Sequence, residues 1–303
     1  MNSKKNILII GGTGFIGYHL AKRSLQIGLK VTSVSSKRPK KLRHLPKVKY
    51  IICDTTKKKL IKKKIKKYFH YVVNLSGYVN HTNKKKTFNS HYNGCKNIVN
   101  FFLEKPPISF VQMGSSGEYG RLNSPQKENF ICKPKSIYGQ AKLLSSKYLL
   151  NLFKKKKFPC TILRLYQAYG PKQDFNRFIP IIIKACMENK EFLCSDGKQY
   201  RDFIHIDDVV EAIIKTLKAK KARGQIINIG CGKPKKIKNI IDFVKKELGG
   251  GYPQFGKIKL RKDEILKIYP NIKKAQKLIN WKPKILFDTG LKSTIKFYNE
   301  QKT

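Results

Sequence analysis

Residues 7–17, ILIIGGTGFIG, give the clearest indication of the fold class. Four apolar residues form a candidate first strand, and Gly11, Gly14 and Gly17 follow it at three-residue spacing. The first glycine permits a tight turn, the second lets the backbone approach a pyrophosphate, and the third lets the next helix pack closely. The N-terminus of that helix offers N–H groups to the anion. We therefore predict a dinucleotide site that includes Gly11, Thr13, Gly14, Phe15, Ile16 and Gly17.

Outward from this stretch, short apolar runs alternate with segments of helical spacing. The candidate strands are residues 6–10, 30–34, 49–52, 71–75, 108–113, 160–165 and 225–229, and helical spacing marks 18–26 and 142–153. This alternation predicts an α/β protein with a Rossmann-type, doubly wound parallel sheet. We assign residues 1–169 and about 201–229 to that domain. Residues 170–200 and 230–303 are expected to form a smaller, mixed C-terminal domain that binds the substrate.

The net charge of the chain is extreme, at +48. It comes from 57 lysines and only 9 arginines, whereas nucleic-acid readers favour the planar arginine fork. The densest run, Lys57 to Lys67, is interrupted by Leu60, Ile61 and Ile65, as on the outer face of an amphipathic helix. We interpret the lysines as solvated surface and expect no nucleic-acid partner. The positive field would still attract an anionic diphosphate.

Cysteine usage and hydropathy bear on the compartment. No stretch approaches the ~20 apolar residues of a membrane span, and Met1 to Lys5 lacks the features of a signal peptide. The seven cysteines are odd in number and include no Cys-x-x-Cys pair. This pattern favours free thiols in a reducing compartment and argues against a zinc site. We expect a cytoplasmic protein with no membrane partner and no metal centre.

The end of the second candidate strand bears on the choice of cofactor. An acidic residue there would hold the ribose 2′-OH of NAD, but the sequence reads Ser33-Val-Ser-Ser-Lys-Arg38. Hydroxyl and cationic side chains at Ser35, Ser36, Lys37 and Arg38 suit a 2′-phosphate instead. We therefore expect NADP(H), with NAD as the alternative. Asp54, after the third strand, is expected to touch the adenine, and Leu75 completes the predicted cofactor site.

Tyr138 and Lys142 are the candidate proton-transfer pair. Residues four apart share a helix face, so the lysine charge would act on the phenol as the tyrosine exchanges a proton with the substrate. The Tyr-x-x-x-Lys spacing occurs five times: Tyr18/Lys22, Tyr92/Lys96, Tyr138/Lys142, Tyr269/Lys273 and Tyr298/Lys302. Only Tyr138 follows a strand that ends in adjacent serines, in VQMGSSGEYG at 111–120. Ser115 is predicted to hydrogen-bond the reacting oxygen; alternatively, Ser115 and Ser116 only cap a loop.

Two further motifs are LRLYQAYGP at 163–171 and RDFIHIDDV at 201–209. Together with the motifs described above, they make the chain resemble the extended short-chain dehydrogenases/reductases that modify nucleotide sugars. Residues 281–284 and 290–291 resemble the C-terminal segment of that family. The resemblance implies that Ser115, Tyr138 and Lys142 are catalytic, with Lys142 also on the nicotinamide ribose. It places Ser116, Gln167, Arg201 and Arg261 at the substrate, the arginines on its diphosphate. It also implies a homodimer through helices near 91–103 and 138–153.

The chain departs from the family pattern at three places. Asparagine is common in the family where Gln167 and His91 stand. The sugar dehydratases of the family carry Asp-Glu directly after the catalytic Ser or Thr, whereas Ser116 and Gly117 follow Ser115 here. Dehydration is therefore disfavoured.

Carboxylates are concentrated in one short segment. Of 18 acidic residues, five lie within residues 196–211: Asp196, Asp202, Asp207, Asp208 and Glu211. We expect structural roles for the aspartates, as helix N-caps at Asp207 or Asp208 or as partners of Arg201.

Three functions remain open from the sequence. The first is an NADP(H)-dependent reductase of a nucleoside-diphosphate 4-keto-6-deoxyhexose, with Tyr138 as proton donor, and it is our primary expectation. The second is an NAD-dependent 4-epimerase of a nucleoside-diphosphate sugar. The third is a redox-inactive basic scaffold or RNA-binding protein, which would not need an intact Ser115, Tyr138 and Lys142.

Overall fold

A seven-stranded parallel sheet forms the centre of the computed structural model, which describes residues 4–80, 82–260 and 264–301. In spatial order its strands are β11 (Gln225–Ile229), β6 (Cys160–Leu165), β5 (Ser109–Ser115), β4 (Tyr71–Asn74), β1 (Asn6–Ile10), β2 (Lys30–Ser35) and β3 (Lys49–Ile52). The predicted Rossmann-type fold is confirmed. Strand β5 runs two residues beyond its predicted end, because its pairing with β6 continues to Ser115 opposite Leu165.

Helices cover both faces of the sheet. The helices are α1 (Phe15–Gln26), α2 (Lys58–Lys64), α3 (Lys84–Phe88), α4 (Gly94–Phe101), α5 (Ile137–Lys156), α6 (Phe178–Met187), α7 (Ile206–Lys218), α8 (Ile237–Leu248), α9 (Lys273–Ile279) and α10 (Phe287–Glu300). Helices α1, α7 and α9 pack on one face with Ile7 and Ile9, and α2, α4 and α5 pack on the other with Leu8 and Ile10. Burial on both faces explains why β1 reads as an uninterrupted apolar run.

A second core lies among α6, α8 and α10 and includes the buried rings of Tyr169 and Phe203. Three small sheets accompany it: β7 (Gln167–Tyr169) with β10 (Phe203–His205), β8 (Glu191–Leu193) with β13 (Tyr252–Gln254), and β9 (Tyr200–Arg201) between β12 (Lys235–Lys236) and β14 (Lys267–Ile268). The predicted division into two domains at residues 170, 201 and 230 stays a prediction. Helix α9 packs on the first core rather than the second.

The lysine-rich run that begins at Lys57 forms the predicted amphipathic helix. Ile61 and Ile65 are buried in the core with α4, and the lysines of α2 are exposed. All seven cysteines are free thiols. Among the described residues, no helix is both long enough and apolar enough to cross a membrane.

Candidate active site

The glycine turn between β1 and α1 has the geometry of a pyrophosphate cradle. Gly11 adopts φ +80°, in the left-handed region that favours glycine, and a Cβ at Gly17 would lie 2.4 Å from the Gly11 carbonyl oxygen. Gly14 is the N-cap of α1 and makes no side-chain cap, and the first helical turn contains no acidic residue. The backbone N–H groups and the positive end of the helix dipole are therefore available to an anion. The turn fits a dinucleotide.

The residues predicted to meet the adenosine ribose lie beside this turn. Ser35 Oγ accepts a hydrogen bond from the Thr13 backbone N–H at 3.2 Å, which ties the end of β2 to the glycine turn. Ser36, Lys37 and Arg38 follow on the surface and are exposed. The sequence contains no carboxylate before Asp54, so none can end β2.

Asp54 and Leu75 border the same region from the neighbouring strands. Oδ1 of Asp54 accepts hydrogen bonds from the backbone N–H and hydroxyl of Thr56, at 2.9 and 2.8 Å, so this carboxylate closes its own turn. The backbone N–H of Leu75 donates to Ile10 O at 2.9 Å, and the Leu75 backbone packs directly against Gly11. Leu75 thus lies against the cradle through its main chain.

Tyr138 and Lys142 are positioned by the first two turns of α5. The helix begins at its N-cap Ser136, whose Oγ accepts from the Gly139 N–H at 3.1 Å. Tyr138 is half-buried, whereas the Lys142 side chain is only 4% exposed. Lys142 Nζ donates to Met113 O on β5 at 2.8 Å and lies 6.0 Å from the centre of the Tyr138 ring. The ammonium group is therefore fixed between the helix and the sheet, close to the phenol ring.

Ser115 and Tyr138 meet at Gly117. Ser115 ends β5 and caps a 3₁₀ turn, Ser116–Tyr119, with its Oγ accepting from the Gly117 N–H at 3.1 Å. A Cβ on Gly117 would lie 3.3 Å from Ser115 Oγ and 3.4 Å from Tyr138 Cε1. The serine therefore has the predicted cap role and also lies near the tyrosine ring.

A continuous set of contacts joins this cluster to the glycine turn. A Cβ at Gly11 would lie 3.0 Å from the backbone N of Ser76, and one at Gly77 would lie 1.9 Å from Cε1 of His91. The His91 ring in turn packs edge-on to the Tyr138 ring, at 4.9 Å between centres. The chain leaving β4 thus runs between the cofactor cradle and the tyrosine. The sequence offered no signal for this contact of His91.

Glu118 is a further residue that the motif analysis did not single out. It follows Gly117, is fully buried, and forms an ion pair with Arg164 at 2.9 Å. Its only signal in the sequence is that it is the one charged residue in VQMGSSGEYG, residues 111–120.

The residues predicted at the substrate are more widely spread. Ser116 is half-buried beside Ser115, and Gln167 is exposed on β7. Arg201 on β9 forms an ion pair with Glu264 and donates to Leu266 O. Burial lowers the pKa of Arg201, and Glu264 partly offsets this effect. Arg261 lies outside the described residues.

The expected roles of the clustered aspartates were wrong in detail. The N-cap of α7 is His205, whose Nδ1 accepts from the Asp207 N–H at 3.3 Å. The Asp208 carboxylate accepts backbone N–H groups of Lys284 and Ile285, at 2.9 and 3.0 Å. Arg201 pairs with Glu264 rather than with an aspartate of the cluster, because β14 pairs with β9 and Glu264 lies just before β14 in the chain.

The fold and the site together define an extended short-chain dehydrogenase/reductase. They combine a parallel Rossmann sheet and a glycine turn with a helical Tyr–Lys pair beside a serine at the end of a strand. The chain belongs to the NAD dependent epimerase/dehydratase family, whose model matches residues 7–230. The resemblance stated from the sequence is thereby confirmed. The family consists of enzymes, so membership does not support the redox-inactive scaffold.

Relatives match over nearly the whole chain. A putative UDP-glucose 4-epimerase of Methanocaldococcus jannaschii is 30% identical, covering 95% of this chain and 97% of the relative. A UDP-glucose 4-epimerase of Thermotoga maritima, solved with UDP-glucose, has the same fold with a TM-score of 0.91 at 22% identity, covering 98% of this chain and 100% of that one. A UDP-glucuronic acid 4-epimerase of Bacillus cereus, solved with UDP-glucuronic acid and NAD, has a TM-score of 0.88 at 24% identity, covering 98% and 99%.

Proposed function

We propose that this protein is an NAD-dependent 4-epimerase of a nucleoside-diphosphate hexose. The observation that carries the proposal is the meeting of Ser115 and Tyr138 at Gly117, with the Lys142 ammonium fixed close by. The M. jannaschii relative, a putative UDP-glucose 4-epimerase, supports this reaction over the reductase that we expected first. A UDP-hexose is therefore the first substrate to test.

The cofactor and the residues of the site would have separate roles in this reaction. A bound nicotinamide dinucleotide supplies reversible hydride acceptance. The glycine turn would hold its pyrophosphate, and Lys142 would contact the nicotinamide ribose. Tyr138 would take the proton of the sugar 4-hydroxyl and later return it to the same oxygen, while Ser115 holds that oxygen by a hydrogen bond. Because the sugar is oxidised and then reduced, the reaction has no net redox change and the cofactor would stay bound.

The turn after Ser115 supports epimerisation over water elimination. Elimination needs an additional acid and base near the sugar, and residues 116 and 117 are serine and glycine. The nearest carboxylate along the chain, Glu118, is fully buried and paired with Arg164. Tyr138 would therefore act without a carboxylate from this turn.

A reductase of a nucleoside-diphosphate 4-keto-6-deoxyhexose, using NADP(H), is the second candidate. It is favoured by the exposed Ser36, Lys37 and Arg38 and by the absence of any carboxylate before Asp54. With Ser35 at the end of β2, this edge presents two hydroxyl groups and two cations, which suit a 2′-phosphate. Such an enzyme would consume one NADPH per product and exchange its cofactor.

One experiment separates the two candidates. The purified protein is denatured, its released nucleotide is identified, and the protein is assayed with UDP-hexoses and with 4-keto sugar nucleotides plus NADPH. The epimerase predicts bound NAD and an isomerised product without net NADH formation. Stoichiometric NADPH oxidation by a 4-keto substrate, with no isomerisation, would establish the reductase instead. Tyr138→Phe should lower kcat by about 100-fold or more and leave cofactor binding intact.

We also propose that the chain forms a homodimer through α4 and α5. The two helices lie side by side, with the Tyr148 hydroxyl donating to Asn100 and Lys96 Nζ lying 6.0 Å from the Tyr148 ring centre. Leu144 on α5 is exposed and would be covered. Light scattering should give twice the 35.0 kDa chain mass at micromolar concentration, and a monomeric mass would contradict the proposal.

A further inference from the structure

The buried carboxylate of Glu118 accepts hydrogen bonds from three different elements. Oε1 accepts the backbone N–H of Ser115 at 2.9 Å. Oε2 accepts the Ser146 hydroxyl at 2.9 Å and Arg164 Nε at 2.9 Å. The donors belong to the end of β5, to α5 and to β6, so one side chain connects all three.

The surroundings of Glu118 hold its side chain in one place. Arg164 is only 2% exposed, and its guanidinium carbon lies 4.5 Å from the centre of the Tyr119 ring. Burial alone would lower the pKa of Arg164, but Glu118 and Tyr119 raise it above its usual value. A Cβ at Gly114 would lie 2.5 Å from Glu118 Oε1, so the carboxylate packs against bare backbone. Its three hydrogen bonds and this close packing hold the carboxylate in one orientation.

The Ser146 link matters because of where it lies on α5. Tyr138, Lys142 and Ser146 are spaced four residues apart, so they share one face of the helix. Lys142 already bonds to β5 at Met113 O, and Ser146 adds a second bond one turn later. Glu118 thus joins the turn that carries Ser115 to the helix face that carries Tyr138.

We propose that Glu118 is a positioning residue that sets the separation between Ser115 and Tyr138. The inference rests on the proposed function, since it assigns Ser115 and Tyr138 to the same reacting oxygen. An ion pair that only stabilised the fold would need Arg164 alone. The bonds to Ser115 and Ser146 instead reach the two elements on which the site is built.

Ser146→Ala tests the proposal without removing a charge. It cuts the bond to α5 and keeps the Glu118–Arg164 pair, so kcat should fall by roughly 5- to 20-fold with KM within about twofold. Glu118→Gln should lower kcat by roughly 100-fold or more, because the amide cannot accept from three donors. Thr161→Val is the matched control. It removes a buried hydroxyl that donates to Ala222 O at 2.8 Å near the start of β6, at the opposite end of the strand from Arg164, and it should leave kcat unchanged.

Amide hydrogen exchange provides a readout that does not depend on the substrate. In Glu118→Gln the Ser115 amide should exchange at least about tenfold faster, while Leu8 and Ile10 in the central strand stay protected. Unchanged kcat in Ser146→Ala, or unchanged exchange at Ser115 in a folded Glu118→Gln, would overturn the inference. A wild type that converts no sugar nucleotide would count against the proposed function only, because Ser115 exchange would still decide the role of Glu118.

Discussion

The guanidinium of Arg201 is held by a carboxylate where the sequence predicted a substrate diphosphate. Its side chain pairs with Glu264 and also donates to Tyr200 O at 2.8 Å. A diphosphate at this place would compete with Glu264 for the same N–H groups, because both are acceptors for the planar fork. The role of Arg201 is therefore best tested by changing each partner separately.

If Arg201 binds the diphosphate, Arg201→Ala should raise KM for the sugar nucleotide by roughly tenfold, with little effect on kcat, because uniform binding would be lost. Glu264→Gln should lower KM by about two- to fivefold, since the guanidinium no longer has a competing anion. Steady-state kinetics would measure both. Lys198→Ala is the control, because Lys198 is an exposed neighbour that pairs with Asp196 at 3.4 Å. An unchanged KM in both variants would assign Arg201 a structural role.

At the scale of elements, two loops are bonded to each other across the cofactor side of the sheet. The 3₁₀ turn Lys41–Arg43 follows the predicted ribose-binding residues, and the loop 170–174 follows β7. Buried Arg43 donates through Nε to Lys172 O at 3.0 Å and pairs with Asp174 at 2.9 Å. Lys40 Nζ also pairs with Asp174 at 2.7 Å. These bonds fix the start of the loop that follows Arg38.

The stability contributed by this contact should depend on pH through Asp174. Burial raises the pKa of Asp174, but hydrogen bonds and charges from Lys40 and Arg43 bring it below its usual 3.8. A carboxyl group whose pKa is lower in the folded than in the unfolded protein stabilises the folded state. This contribution is complete above the unfolded pKa of 3.8 and is lost as the pH falls through the lower pKa of the folded state. Because Asp174 is partly solvent-screened, its contribution is about 1 kcal/mol or less.

Asp174→Asn should therefore be less stable than the wild type by a constant amount between about pH 5 and 7, and the difference should shrink below about pH 4. Urea unfolding of both proteins across this range measures it. The same measurement on Asp196→Asn provides the control, since Asp196 pairs with Lys198, whose side chain is exposed. A difference that grew towards acid pH would contradict the assignment.

On the scale of the whole molecule, the net charge of +48 must act on any anionic substrate. A positive field accelerates the encounter with a diphosphate, and salt screens it over about 10 Å at 0.1 M. We expect kcat/KM to fall several-fold between about 20 and 300 mM NaCl, with kcat nearly constant. Stopped-flow binding of the substrate would show whether the association rate carries the effect. A kcat/KM independent of salt would show that the lysines do not attract the substrate.

The lysine-rich surface also bears on nucleic acids. We expect binding of RNA to be weak and to disappear near physiological salt, as for nonspecific attraction to dispersed lysines. Filter binding at increasing salt would measure it. Tight binding that survives about 150 mM salt would revive a nucleic-acid role for this protein.

The parallel sheet and the glycine turn could be read from the sequence alone, which also singled out Tyr138 and Lys142 as the candidate pair. Each depends on a pattern within a few residues: apolar runs for buried strands, glycine spacing for the turn, and i,i+4 spacing for the helix face. The adjacent serines then selected Tyr138 among five similar pairs. Patterns of this kind involve only residues close together in the chain, so they can be recognised without knowledge of the tertiary structure.

The surroundings of that pair follow from tertiary packing. Ser146 reaches Glu118 across 28 residues, and Arg201 reaches Glu264 across 63. The packing of His91 against Tyr138 likewise depends on how the helical segment 89–93 packs against α5. Such contacts join elements far apart in the chain, and their partners are set by how helices and strands pack rather than by any spacing along the sequence.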